Sequence, residues 1–198
     1  MKVYSISVLL QTNAKQNPVI LAGKQDVSEW SFFTRSSIRD FMVFTTRTVY
    51  SKVKDSKASV QEKDYFCHCL KGKDGLGAVI IADGEYKQML AFGLMQDLVT
   101  KFKRKFDMRT PGVRSKCSKD HQFDEAFPEL AKLLVDCQDP TKVDKVLKIH
   151  SQIDQTKAVM YKTIDSLLDR GCKLDDLVNR SDDLTARSKV FYDTAKST

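Results

Sequence analysis

Residues 146–198 read VLKIHSQIDQTKAVMYKTIDSLLDRGCKLDDLVNRSDDLTARSKVFYDTAKST. Alternating steps of three and four from Val146 meet Ile149, Ile153, Thr156, Met160, Thr163, Leu167, Arg170, Leu174, Leu177, Ser181, Leu184, Ser188, Phe191, Ala195 and Thr198. All but Arg170 are apolar or small hydroxyl residues. A 3.5-residue repeat held this far specifies a left-handed coiled coil whose a and d positions face partner helices. No Pro interrupts it, and Gly171 is its one glycine. As a single helix it would be roughly 80 Å long, beyond the diameter of any domain the remaining chain can build. Val159, Ile164 and Val178 widen the apolar stripe, which suits several partner helices better than one.

Arg170 sits in mid-seam between Leu167 and Leu174. An unpaired buried guanidinium costs several kcal/mol. Two readings stay open: the side chain snorkels to water from an ordinary coiled coil, or its fork meets acceptors supplied by the other helices. In the second, one polar layer fixes register and partner choice at some cost in stability.

The 198 residues allow one globular domain plus this extension. No signal peptide and no apolar run near 18 residues is present. Lys2 rules out the N-myristoylation pattern. Five cysteines without regular spacing point to reduced thiols. Residues 101–119 carry eight cations against Asp107 alone, equal to the whole formal net charge of +7. An anionic membrane, nucleic acid or a plain solvated surface would account for such a stretch. A basic zipper needs one continuous helix from basic region to heptads. Pro111, Gly112, Pro128 and Pro140 intervene, so no nucleic-acid partner is expected.

The rest of the chain reads as α+β. Lys2 to Leu10 and Val19 to Ala22 form a hairpin. A packed loop with Trp30, Phe32 and Phe33 leads to a helix capped by Ser36 or Ser37, with Asp40 near N3, running to about Lys52. Its apolar side is Ile38, Phe41, Met42, Thr45 and Val49. Ala58 to Lys71 contains a strand around Tyr65–Leu70, and Gly75 to Ala82 is a buried strand. Gln88 to Phe106 is a second long helix, and Leu130 to Val135 a short one. Residues 107–127 carry no clear pattern.

Cys67-His68-Cys69 invites a metal-site or nucleophile–base reading. On a strand the two thiols face one way and the imidazole the other, so packing is the better account. No phosphate loop, G-x-S-x-G or H-E-x-x-H is present, and no enzyme, metal or non-covalent cofactor is expected.

Leu167-Leu168-Asp169-Arg170-Gly171 followed by Lys173-Leu174-Asp175-Asp176-Leu177-Val178 resembles the core of an R-SNARE. Ser188-Lys189-Val190-Phe191-Tyr192, Ser31-Phe32-Phe33-Thr34-Arg35-Ser36-Ser37, Phe41-Met42-Val43-Phe44 and Val79-Ile80-Ile81-Ala82-Asp83 narrow the resemblance to lipid-anchored longin R-SNAREs of the synaptobrevin-like family. The resemblance implies a profilin-like longin domain over 1–136, with a five-stranded antiparallel sheet and flanking helices, a linker over 137–141 and a SNARE coiled-coil motif over 142–198. It makes Arg170 the ionic layer, met by three Q-SNARE helices. Val146, Ile149, Ile153, Met160, Leu167, Leu174, Leu177, Leu184, Phe191 and Ala195 become the hydrophobic layers.

It further implies vesicle-mediated transport and fusion, with a cytosolic pool cycling to Golgi, ER, endosomal or vacuolar membranes. Prenyl and palmitoyl groups on a C-terminal Cys-Cys box are the family's anchor, and residues 1–198 do not contain that box. A longin-type adaptor or tether subunit that binds coiled coils without driving fusion is the alternative.

Without partners the heptad stripe would expose more apolar surface than a monomer tolerates. It is therefore disordered or folded back, and fold-back onto a longin surface holding Phe41, Met42, Phe32 and Phe33 is expected. A rod cannot wrap a domain about 35–40 Å across. Breaks are expected at Gly171 and the Thr and Ser layers.

Overall fold

The computed structural model describes residues 1–13, 16–54, 56–108, 110–139, 141–142, 160–168 and 171–196. Strand β1 (Val3–Leu10) is buried at every position. It lies inside the sheet with helices over both faces, so even its serines are small and enclosed. It pairs antiparallel with β2 (Val19–Gln25) on one side and with β5 (Leu76–Asp83) on the other. Next come β4 (Tyr65–Lys71) and β3 (Lys57–Glu62), also antiparallel. The stretch expected to hold a single strand is thus a hairpin, turned at Lys63 with φ +52°. At the β4–β5 turn Gly75 has φ +75°, and a Cβ there would stand 2.1 Å from the Gln11 carbonyl oxygen, so only glycine fits.

Two long helices cover the faces of the sheet among the described residues. Helix α1 (Arg35–Lys52) packs Met42, Val49 and Tyr50 on the face that carries Tyr4, Leu9, Cys67, Cys69, Val79 and Ile81. Helix α2 (Gln88–Lys105) packs Leu94, Met95, Leu98 and Phe102 on the other, against Ile6, Val8, Ala78 and Ile80. The alternation of Val79 and Ile81 with Ala78 and Ile80 is the period of two that a strand between two layers requires.

Residues 107–127, unreadable in the sequence, hold α3 (Pro111–Arg114) and then close the border of β2. Ile20 N donates to Asp120 Oδ1 (2.9 Å), His121 N to Ile20 O (2.7 Å), Phe123 N to Leu21 O (2.9 Å) and Gly23 N to Asp124 Oδ1 (2.9 Å). Phe106, Phe123 and Phe127 gather on Phe102, with the first two ring centroids 4.5 Å apart. Much of the basic stretch is neutralised locally: Lys101 by Asp97, Lys103 by Asp74 and Lys105 by Glu129. Helix α4 (Glu129–Asp136) follows. Cys137 is buried in the core, and Gln138 bonds both the N–H (3.0 Å) and the carbonyl (2.8 Å) of Val3, so these two residues of the expected 137–141 linker are anchored on the sheet.

The C-terminal segment differs from a single long helix. Met160–Thr163 is strand β6, parallel to β3 with Ala58 opposite Met160 and Gln61 opposite Thr163. The sheet order is β2-β1-β5-β4-β3-β6, five antiparallel strands with a sixth added by the segment. Three short helices follow: α5 (Ile164–Leu167), α6 (Leu174–Arg180) and α7 (Ala186–Lys196). The breaks fall where small polar layers or glycine stand. Thr163 caps α5, its hydroxyl accepting from Ser166 N (3.3 Å) while Ser166 Oγ accepts from Thr163 N (3.0 Å). Gly171 turns at φ +83°, and Ser181 is extended at the end of α6. A 3.5-residue pattern does not enforce one helix; it keeps one stripe, and short helices can lay that stripe on a curved surface.

Candidate functional site

Helix α1 carries a second apolar edge beside the one that faces the sheet. Phe41 and Phe44, three residues apart, meet the C-terminal segment. Phe44 is 6% exposed and forms a cluster with Val178 (2%) and Leu184 (5%), bordered by Phe41, Leu174, Leu177 and Tyr192. The Phe41 ring stacks on Tyr192 at 5.6 Å and leans toward Phe191 at 6.4 Å. Nearer β6, Ile164 and Leu167 join Met42, Val60 and Cys67 under α1. An apolar cavity of about 210 Å³ remains between Trp30, Phe41, Met42, Tyr65, Phe66 and Ile164.

Polar contacts rim this surface. Asp40 accepts from Ser188 Oγ (2.7 Å) and Thr185 Oγ1 (3.0 Å). This replaces the capping role expected of it, since α1 starts after Thr34, whose hydroxyl instead donates to Ser31 O. Arg47 bridges Asp183 of the segment and Asp120 of the loop that borders β2. Burial pushes the Asp183 carboxyl above the usual range, opposed by Arg47 and reinforced by Asp120, Asp182 and Asp40. Asp175 is held below the usual range by Lys196 and by the Tyr192 hydroxyl, which donates at 3.0 Å.

The expected layer residues are treated unevenly. Leu167 and Leu184 are buried, Leu174, Leu177 and Phe191 are half-buried, and Ala195 is exposed. Met160 is in β6 rather than a helix. Arg170, Val146, Ile149 and Ile153 lie outside the described residues. On the domain side, Phe41 and Met42 meet the segment or its neighbours. Phe32 and Phe33 do not: their rings are 79% and 73% exposed, and only the Phe33 carbonyl is touched, by Arg187. Residues 32–34 form the turn that precedes α1, and both side chains stay in water there.

Phe44, Asp40 and Arg47 were missed as site residues. The signal for Phe44 was its spacing from Phe41, off the sheet-facing stripe. Asp40 and Arg47 act only through chain more than 70 residues distant.

The Cys67-His68-Cys69 stretch is structural. Burial holds the Cys69 thiol up at about 12 and that of Cys67 well above its ordinary value, so neither is a thiolate. His68 faces the opposite side, stacked on Phe66 at 5.8 Å and bonded through Nδ1 to Ser59 Oγ at 2.8 Å. Burial lowers its pKa to about 4, keeping the ring neutral. Among the described residues no group of three or more His, Cys, Asp or Glu could hold a metal ion, and no helix is long and apolar enough to cross a membrane.

Residues 27–130 match the longin family, described as a regulated-SNARE-like domain, and residues 145–198 match the synaptobrevin family. The chain is similar to the VAMP-like protein YKT61 of Arabidopsis thaliana, 38% identical with 100% of this chain and 96% of the relative covered. It is similar to the synaptobrevin homolog ykt6 of Schizosaccharomyces pombe, 38% identical over 99% of this chain and 95% of the relative. The synaptobrevin homolog YKT6 of Yarrowia lipolytica is 35% identical, with 100% and 96% covered.

Proposed function

The chain belongs to the Ykt6-type longin R-SNAREs of the synaptobrevin-like family, and from that premise we propose a two-state fusion protein. It is an R-SNARE of vesicle trafficking, in a family that is not enzymatic. In one state the segment over 142–198 zips with three Q-SNARE helices into a four-helix bundle and draws two membranes together. Arg170 then offers its guanidinium to acceptors on all three partners. In the other state the longin domain keeps the segment from those partners.

One observation carries the autoinhibited reading. Leu167, Leu174, Leu177, Leu184 and Phe191, the layers a bundle would need, are the residues that pack under and beside α1. One stripe cannot serve both surfaces at once, so docking and assembly compete for the same area. The apolar cavity beside Ile164 supports a further reading, that a covalent prenyl or palmitoyl chain shares this face in the closed state. Release of that lipid to a Golgi, ER, endosomal or vacuolar membrane would favour opening.

The test is the mixing of the full chain with candidate Q-SNARE helices. A heat-stable four-helix complex is expected, formed faster by Phe41→Glu, which would bury a charge against Tyr192 in the closed state. Absence of any complex across a panel of Q-SNAREs would overturn the fusion reading. Equal assembly rates for Phe41→Glu and the unmodified chain would overturn autoinhibition.

A further inference from the structure

The loop between β2 and α1 presents two aromatic rings that the closed segment leaves uncovered. Phe32 is 79% exposed and Phe33 73%, the rings meeting edge to face at 5.9 Å. Their exposure does not come from a loose loop. Trp30 N donates to Val27 O (3.2 Å), Thr34 N and Oγ1 to Ser31 O (2.9 and 3.0 Å), and Arg35 Nε to Trp30 O (2.9 Å). Arg35 Nη2 adds a bond to Ser28 O (3.2 Å), and Trp30 itself packs on Tyr4 at 5.1 Å. A braced turn that holds large apolar rings in water marks an interaction site.

Its surroundings favour one class of partner. Arg35 lies directly behind the pair, Arg39 is exposed one turn further along α1, and Arg187 of α7 reaches the Phe33 carbonyl. Val190, 65% exposed, is three residues past Arg187 and so on the same face of α7. Of the nearby carboxylates, Glu29 is paired with Lys2 at 2.9 Å, and Asp40 accepts from the hydroxyls of Ser188 and Thr185, which orient it without cancelling its charge, so three arginines stand against that one carboxylate. A helical protein partner lays its apolar face into a hydrophobic groove. Two adjacent rings this exposed protrude and do not form such a groove. Rings that can sink below a headgroup layer, with guanidiniums left at phosphate level, fit a bilayer surface.

We propose that the Phe32–Phe33 turn is a membrane-insertion site, seating both rings in the interfacial layer of an anionic bilayer while Arg35, Arg39 and Arg187 meet lipid phosphates. It acts in the closed state and requires neither Q-SNARE assembly nor a covalent lipid.

The test uses the full chain and vesicles of phosphatidylcholine with or without a minority of phosphatidylserine. Trp30 is the only tryptophan in the chain and lies two residues from Phe32, so bromine-labelled acyl chains report insertion of this turn. The unmodified chain should sediment with phosphatidylserine vesicles and show Trp30 quenching. The double variant Phe32→Ser/Phe33→Ser should partition at least roughly tenfold less, as expected for apolar area kept out of the bilayer. Its thermal midpoint should be unchanged because both rings are exposed. Arg39→Glu should weaken binding only when phosphatidylserine is present. Equal partitioning of the double variant, or vesicle binding without Trp30 quenching, would overturn the proposal. So would a double variant that binds vesicles normally but assembles slowly with Q-SNARE helices, which would make the turn a protein-docking surface. No partner helix enters the vesicle assay, so its failure leaves the fusion reading untouched.

Discussion

Phe44→Ala should release the C-terminal segment while leaving the longin domain folded. Phe44 belongs to neither of the two large clusters that hold the sheet between α1 and α2; its buried neighbours, Val178 and Leu184, are both in the segment. Truncating a fully enclosed phenylalanine costs about 3–5 kcal/mol. Here one wall of the site is a set of short helices that can settle inward, so the lower end applies. About 3 kcal/mol is a shift of roughly 150-fold in the docking equilibrium, enough to move a segment held by a few kcal/mol largely into its undocked form. Amide hydrogen exchange over α6 and α7 reads the change directly. Protection there should fall by about two orders of magnitude, while the amides of β1 and β5 keep theirs, and small-angle scattering should show a larger radius. Unchanged protection of α6 and α7 together with a lowered thermal midpoint of the sheet would refute the reasoning, because Phe44 would then be supporting the domain.

Gly171→Ala should favour the extended state: a Cβ at φ +83° is strained by about 1 kcal/mol, and alanine adds about 1 kcal/mol to a continuous helix. Circular dichroism of the variant with Q-SNARE helices should show assembly several-fold faster, and a slower rate would contradict this. His68 sets a pH dependence of the domain. Its pKa falls from 6.5 unfolded to about 4 folded. The unfolded chain therefore binds more protons between those values, and stability complete above the unfolded pKa is lost as pH drops toward the folded one. The loss is at most about 3 kcal/mol. Urea midpoints at pH 7 and pH 5 should converge in His68→Phe, and an undiminished pH difference in that variant would exclude His68 as the cause.

The helices and strands of the domain were legible because period-two and helical patterns are local. β1, α1, α2 and β5 stand close to where the pattern puts them, and the alternation of Cys67, His68 and Cys69 across a strand holds. Residues 107–127 gave no pattern because their role is to satisfy the border of β2 through side-chain carboxylates and single backbone bonds. The heptads were legible as a stripe but not as a shape, since a stripe on three short helices and a strand has the same spacing as one on a rod. Phe32 and Phe33 illustrate a different limit: composition identifies an apolar residue, but only the bracing of residues 27–35 decides whether it faces the protein or the water.

The two borders of the sheet are closed by different kinds of chain. Residues 120–124 cover β2 from within the domain, whereas the edge of β3 that faces away from β4, Ala58 to Gln61, is paired by residues 160–163 of the segment. Any partner that draws the segment away also strips a row of backbone donors and acceptors bare. A molecule opened in the way proposed would be adhesive toward extended peptide, its own kind included. If the segment opens as proposed, re-closure would protect the chain against clumping as much as it would silence it.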